Sequence, residues 1–139
     1  MREGIGLYRG KRKDNGEWVE GNLLQIIYPS GKPTFCSIME QTPVATNYAV
    51  IPETIGQYTG LTDKNGKKIF AGDIVKREFT LWHGETKKTR ETQIGVVVYS
   101  NRDCGFQVEK KCNLRKPWDG DTIEVIGNIH DNSELLQNT

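Results

Sequence analysis

The residues of this chain that could carry acid–base, nucleophilic or metal chemistry are few and scattered. Its two histidines are His83, in a turn-like stretch, and His130, close to the C-terminal end. Neither has a serine or cysteine placed to serve as its nucleophile. Asp63, Asp73, Asp119, Asp121 and Asp131 all fall in turn contexts, where a carboxylate usually accepts backbone N–H groups. No glycine-rich loop opens a helix, so no phosphate cradle is expected. The cysteines, Cys36, Cys104 and Cys112, are odd in number and form no C-x-x-C pair. A disulfide framework and a structural zinc site are therefore not expected. Cys104 and Cys112, taken with His83 or His130, match no metal-ligand spacing. Free, partly buried thiols are the expectation. The chain reads as a non-enzyme with no cofactor and no metal.

Binding chemistry is better represented. Arg9, Lys11, Arg12 and Lys13 form one basic cluster, and Lys110, Lys111, Arg115 and Lys116 beside Trp118 form a second. Cations around an aromatic stacker are what a single-strand nucleic-acid groove uses. Against this stands a net charge of only +1, which fits solvated loop lysines. Two function classes follow. The first is a self-assembling or protein-interaction module, a homo-oligomer or the binder of a protein partner, with Trp18 or Trp82 as anchor if exposed. The alternative is a small β-barrel protein that binds single-stranded nucleic acid through the two clusters. The first ranks ahead.

The elements that must position these residues are strands. The chain has 139 residues, 35% hydrophobic and 27% charged, the composition of a folded domain. No apolar run approaches the roughly 18 residues of a membrane span, and the first residues form no apolar signal region. The expectation is no membrane contact and a cytoplasmic location. Turn signals recur at short intervals. Asn65-Gly66 suits a type I′ hairpin turn, and Gly72-Asp73 a glycine corner, with Ile69-Phe70 between them and Ile74-Val75 after. Residues 81–85 read as a hairpin tip and 86–92 as an edge strand kept soluble by Lys, Arg and Thr. Residues 94–99 read as a central strand buried on both faces. Asp131 to Glu134 can cap a short helix through Leu135 and Leu136.

At an offset of fifty (58 less 8), Tyr8, Gly10, Asn15 and Gly16 recur as Tyr58, Gly60, Asn65 and Gly66. One inserted residue later, Gly21-Asn22-Leu23-Leu24 recurs as Gly72-Asp73-Ile74-Val75, each reading as a glycine corner followed by a strand. The recurrence predicts two related small β units, residues 1–57 and 58–139. The fold class expected is mainly β and barrel-like, with a short C-terminal helix.

The run T-G-L-T-D-K-N-G-K-K-I-F-A-G-D-I-V at residues 59–75 resembles the signature of the YopX family, small proteins of phages and prophages. Glu124-Val125-Ile126-Gly127-Asn128-Ile129-His130-Asp131-Asn132 resembles that family's closing motif. Gly95-Val96-Val97-Val98-Tyr99 and Phe106 fit its middle strands. The resemblance covers roughly residues 58–136. It implies a phage-derived origin, a bacterial host cell and a mostly β fold. It implies nothing about catalysis.

Overall fold

The computed structural model describes residues 6–27, 29, 33–40, 44, 46–100, 105–109 and 123–136. Ten strands carry the chain: β1 (Leu7–Lys11), β2 (Trp18–Ile27), β3 (Pro33–Glu40), β4 (Thr46–Ala49), β5 (Gly56–Thr62), β6 (Lys68–Phe70), β7 (Asp73–His83), β8 (Lys87–Ser100), β9 (Gly105–Glu109) and β10 (Ile123–Asn128). They divide into two compact units, Met1–Gly60 and Leu61–Thr139.

In the first unit the strand order is β4-β3-β2-β1-β5. Alternation along β2 and β3 sends Val19, Cys36 and Ile38 to one face. There they meet Val50, with Tyr8, Leu23, Tyr48 and Ile55 packed around. Cys36 is a free, buried thiol. The segment after β4 is stitched to β1. Ile51 N–H donates to the Lys11 carbonyl at 2.8 Å, and Lys13 N–H to the Ala49 carbonyl at 2.9 Å. Pro52–Thr54 makes one 3-10 turn, whose buried Thr54 hydroxyl accepts the Lys11 N–H at 2.9 Å.

β5 begins in the first unit, where Gly56 and Gln57 pair with Arg9 and Tyr8. Its last residues, Leu61 and Thr62, open the second unit and lead through a hairpin to β6. The remaining strands form a sheet in the order β10-β7-β8-β9. Ile69, Val75, Val97, Val108 and Ile123 make its core, with Val125 against them. At Gly72 the chain turns sharply with φ +93°. Its N–H donates to Val97 at 2.8 Å, and its carbonyl accepts Ile129 N–H at 3.0 Å. A β-branched side chain is poorly tolerated in that backbone region. Gly72→Val is expected to lower stability by roughly 1–3 kcal/mol. An unchanged urea midpoint would show that the corner relaxes without cost.

Four expectations are corrected. The sheets do not close into a barrel: among the described residues the first ends at β4 and β6, and the second at β10 and β9. Closure needs neighbouring strands of matched length and stagger. Here β4, four residues long, lies beside the eight-residue β3. The C-terminal helix is one 3-10 turn, Ser133–Leu136. The Asn128 side chain captures the N–H groups of His130 and Asp131, and Leu135 N–H reaches back only to Asn132, an i to i+3 step. The Asn65-Gly66 turn is one residue wider than type I′. Asp63 N–H meets the Lys67 carbonyl at 2.7 Å and Gly66 N–H the Asp63 carbonyl at 3.0 Å, enclosing three residues with Gly66 at φ +83°. Finally, the strand at 94–99 is central but not buried throughout, since Tyr99 is half exposed and takes the Phe106 ring edge-on at 5.2 Å.

Candidate protein-contact site

β7 and β8 are the two longest strands described. They pair without a register shift from Ile74↔Val96 to His83↔Lys87. Among the described residues, β10 accompanies β7 as far as Arg77, and β9 accompanies β8 from Val96 to Ser100. Arg77 donates twice to the Gln93 side-chain carbonyl, at 2.8 and 3.0 Å. Beyond it, the pairs Glu78↔Thr92 through His83↔Lys87 form a two-stranded ribbon. At about 3.3 Å per residue it extends roughly 20 Å.

The sequence makes such a ribbon and keeps it from collapsing. Thr80, Thr89 and Thr92 favour the pleated backbone, and Gly84 at φ +79° turns the tip. Every side chain described from Glu78 to Thr92 is exposed. Trp82, at 59%, is the most exposed residue of the tip among the large apolar ones described there. Lys88, directly opposite, lies 5.5 Å from the Trp82 ring centroid. Arg90 bonds Glu78 at 3.2 Å across the strands. On the alternate positions, Thr89 donates its hydroxyl to Glu91 at 3.1 Å and shares a hydrogen bond with His83 Nε2 at 2.9 Å. These contacts order the ribbon without burying it.

The signature stretch serves a different end. Asp63 is buried, and its carboxylate accepts three backbone N–H groups at 2.9 Å: Asn65, Lys67 and, from β10, Val125. Burial pushes its pKa up. The three donors, helped by the Lys67 charge, outweigh that and hold it below the ordinary carboxylate value. Lys64 N–H adds a bond to the Ile123 carbonyl at 3.0 Å. Asp73 is also buried and accepts Phe70 N–H at 2.7 Å. Both aspartates therefore act on backbone structure, as their turn contexts implied.

The first basic cluster is largely occupied by its own neighbours. Arg9 and Lys11 lie over the Trp18 ring, at 4.8 and 5.5 Å, and Trp18 is only half-buried beneath them. Arg12 stacks 4.2 Å from the Tyr48 centroid and holds Asp14 through two hydrogen bonds. That bond raises the guanidinium pKa and lowers the carboxyl pKa. Lys13 is exposed. Lys110, Lys111, Arg115, Lys116 and Trp118, like Cys104, Cys112, Asp119 and Asp121, lie outside the described residues. Among the described residues no three His, Cys, Asp or Glu side chains converge on a metal position, and no helix is long and apolar enough to cross a membrane.

A family model described as YopX protein matches residues 7–137. The chain belongs to the YopX family. The match begins in β1, so the family pattern includes the first unit as well as the C-terminal blocks that carry the resemblance. This YopX chain is also similar to the crystal structure of protein EF1440 from Enterococcus faecalis. The two share 23% identity over 94% of this chain and 96% of that one, with a TM-score of 0.56. At that identity the likeness speaks for the fold. No curated protein matches the chain.

The reach of the ribbon escaped the sequence reading. Its signal was present: from Glu78 to Thr92, threonines and charges alternate with no apolar residue on the second strand. Such a strand has nothing to bury and so no reason to lie over a core.

Proposed function

We propose that this YopX protein is a non-enzymatic accessory protein of phage or prophage origin, acting in the bacterial cytoplasm through protein contact, self-association included. The β7–β8 ribbon is its contact element. One observation carries the reading: among the described residues, six strand pairs lie beyond the last pairing with β10 or β9, with every described side chain exposed and Trp82 near the tip. A two-stranded ribbon is marginal alone in water, and a third strand or packing surface stabilises it. Trp is also the residue type most enriched among interface anchors. Exposed Leu24, Ile26 and Phe35, neighbours on β2 and β3, give further apolar surface for contact.

The second reading, single-stranded nucleic-acid binding, is favoured by Arg9 and Lys11 flanking Trp18. Salt separates the two. Apolar and strand-edge contacts are not screened. Light scattering is expected to give an oligomer whose mass holds from low to moderate salt and falls in Trp82→Ala. Oligonucleotide titration is expected to show no binding at physiological salt. A monomer that binds oligonucleotide with a log–log salt slope of roughly −3, as four phosphate contacts to a single strand would give, reverses the ranking.

A further inference from the structure

The two Asn-Gly turns carry a chemistry that protein contact does not use. An asparagine before glycine cyclises when the glycine amide nitrogen attacks the asparagine Cγ. A C–N bond forms, the amide proton is lost to solvent base, and the carboxamide nitrogen leaves as ammonia. Water then opens the cyclic imide at either carbonyl and gives aspartate or isoaspartate. Glycine suits the reaction because no Cβ stands beside the attacking nitrogen. We propose that Asn15 is the deamidation site of this protein and that the Asp63 carboxylate protects Asn65.

The two sites are alike in what the reaction needs locally. Asn15 and Asn65 are both exposed. Gly16 and Gly66 are both left-handed, at φ +73° and +83°, and a Cβ built on either would meet nothing within 4 Å. Each glycine N–H donates to a backbone carbonyl at 3.0 Å, Gly16 to Arg12 and Gly66 to Asp63. That bond must break before the nitrogen can lose its proton and swing onto Cγ. The rate then follows how readily each turn opens.

The turns differ in what holds them. The Asp63 carboxylate accepts the N–H groups on either side of Gly66, from Asn65 and Lys67, at 2.9 Å each. It is buried, and it also accepts Val125 N–H from β10. Opening this turn strips a buried anion of two of its three backbone donors, which is costly. The turn at Asn15 has no such anchor among the described residues, and residues 13–17 are all exposed. Its base is tied by Lys13 N–H on the Ala49 carbonyl and Arg12 N–H on the Glu17 carbonyl, both at 2.9 Å. Inside it, Asn15 Oδ1 accepts Glu17 N–H at 2.9 Å. That bond favours the reaction, because Oδ1 takes on negative charge as nitrogen adds to Cγ. Side-chain freedom points the other way, since the Asn65 carboxamide makes no hydrogen bond to the described residues. Backbone restraint outweighs it, because the attacking atom is a backbone nitrogen. Conversion places a new carboxylate on the loop that carries Arg12 and Lys13, beside Asp14, which Arg12 already holds.

The test follows both asparagines in the native chain. Protein held in mildly alkaline buffer is digested at intervals, and mass spectrometry reads the exchange of amide nitrogen for oxygen in each peptide. Asn15 is expected to convert roughly tenfold or more faster than Asn65. In denaturing urea most of that gap should close. Asp63→Ala should speed Asn65 and leave Asn15 at its wild-type rate. If circular dichroism shows that this variant has unfolded, the comparison of native and urea-treated wild type carries the test alone. Native Asn65 converting as fast as Asn15, or a native Asn15 that stays intact while urea converts it, overturns the assignment of Asn15. A gap that persists in urea, or a folded Asp63→Ala protein whose Asn65 keeps its wild-type rate, overturns the protection by Asp63.

Discussion

Gly21→Ala is expected to cost at least about 3 kcal/mol and to lower the urea midpoint sharply. A Cβ built on Gly21 would lie 2.0 Å from the Met39 carbonyl oxygen, 2.7 Å from its carbon and 3.2 Å from Glu40 Cα. All three are backbone atoms, so no rotamer change relieves the overlap. The end of β3 would have to leave β2, beginning at the pair Asn22↔Met39. Gly10→Ala provides the comparison. There a Cβ would meet the side chains of Val50 at 3.1 Å and Ile38 at 3.2 Å. Side chains can yield by a few tenths of an ångström, so that change is expected to cost about 1–2 kcal/mol. Hydrogen exchange at the β2 and β3 amides should accelerate strongly in Gly21→Ala and modestly in Gly10→Ala. Equal midpoints for the two variants would show that β3 does not lie over Gly21.

Gly21 also shows where the sequence was legible and where it was not. Gly21-Asn22-Leu23-Leu24 and Gly72-Asp73-Ile74-Val75 read alike, each a glycine corner before a strand. Gly72 is such a corner, with φ +93°. Gly21 is not: β2 runs straight through it. Both positions require glycine, one for its backbone angle and one for the space beside it. Only tertiary contact distinguishes the two reasons. The strands themselves were legible, because period-2 patterning reports which face each residue meets. Val75, Val97 and Val108, and Cys36 with Ile38, fall on core faces as alternation demands. Closure was not legible, because the periodicity within a strand says nothing about whether its neighbours match it in length. The candidate site divides the same way. The hairpin tip near Trp82 and its charged partner strand could be read locally. Their place relative to β9 and β10 depends on pairing between distant parts of the chain.

The Asn-Gly turns make a related point. Both turn positions were plain in the sequence, and both loops are wider than two residues. The first spans Arg12 to Glu17, with Arg12 N–H on the Glu17 carbonyl at 2.9 Å. The second spans Asp63 to Lys67. What widens the second is visible in the Asp63 carboxylate, which takes the Asn65 and Lys67 N–H groups for itself. The aspartate that the sequence offered as a turn residue thus became the bond between a loop and a distant strand.

Asp63→Ala is expected to lower stability by about 2–4 kcal/mol. It leaves three N–H groups without their charged acceptor and releases the hairpin from β10 at Val125. Asp63→Asn is expected to cost less, about 1–2 kcal/mol, since one oxygen can still serve Asn65 and Lys67 while the amide nitrogen faces the Val125 N–H. The pH dependence follows from the direction of the shift. The folded-state pKa is held below the ordinary aspartate value. The carboxylate therefore contributes its full stabilisation above the unfolded-state pKa of about 4, and that contribution is lost as pH falls through the lower, folded value. The stability difference between wild type and Asp63→Asn should be constant near neutral pH and shrink in acid. Urea titrations of both proteins at several pH values read this directly. A difference that stays flat into acid, or grows there, would mean that the Asp63 charge does not hold the hairpin to β10.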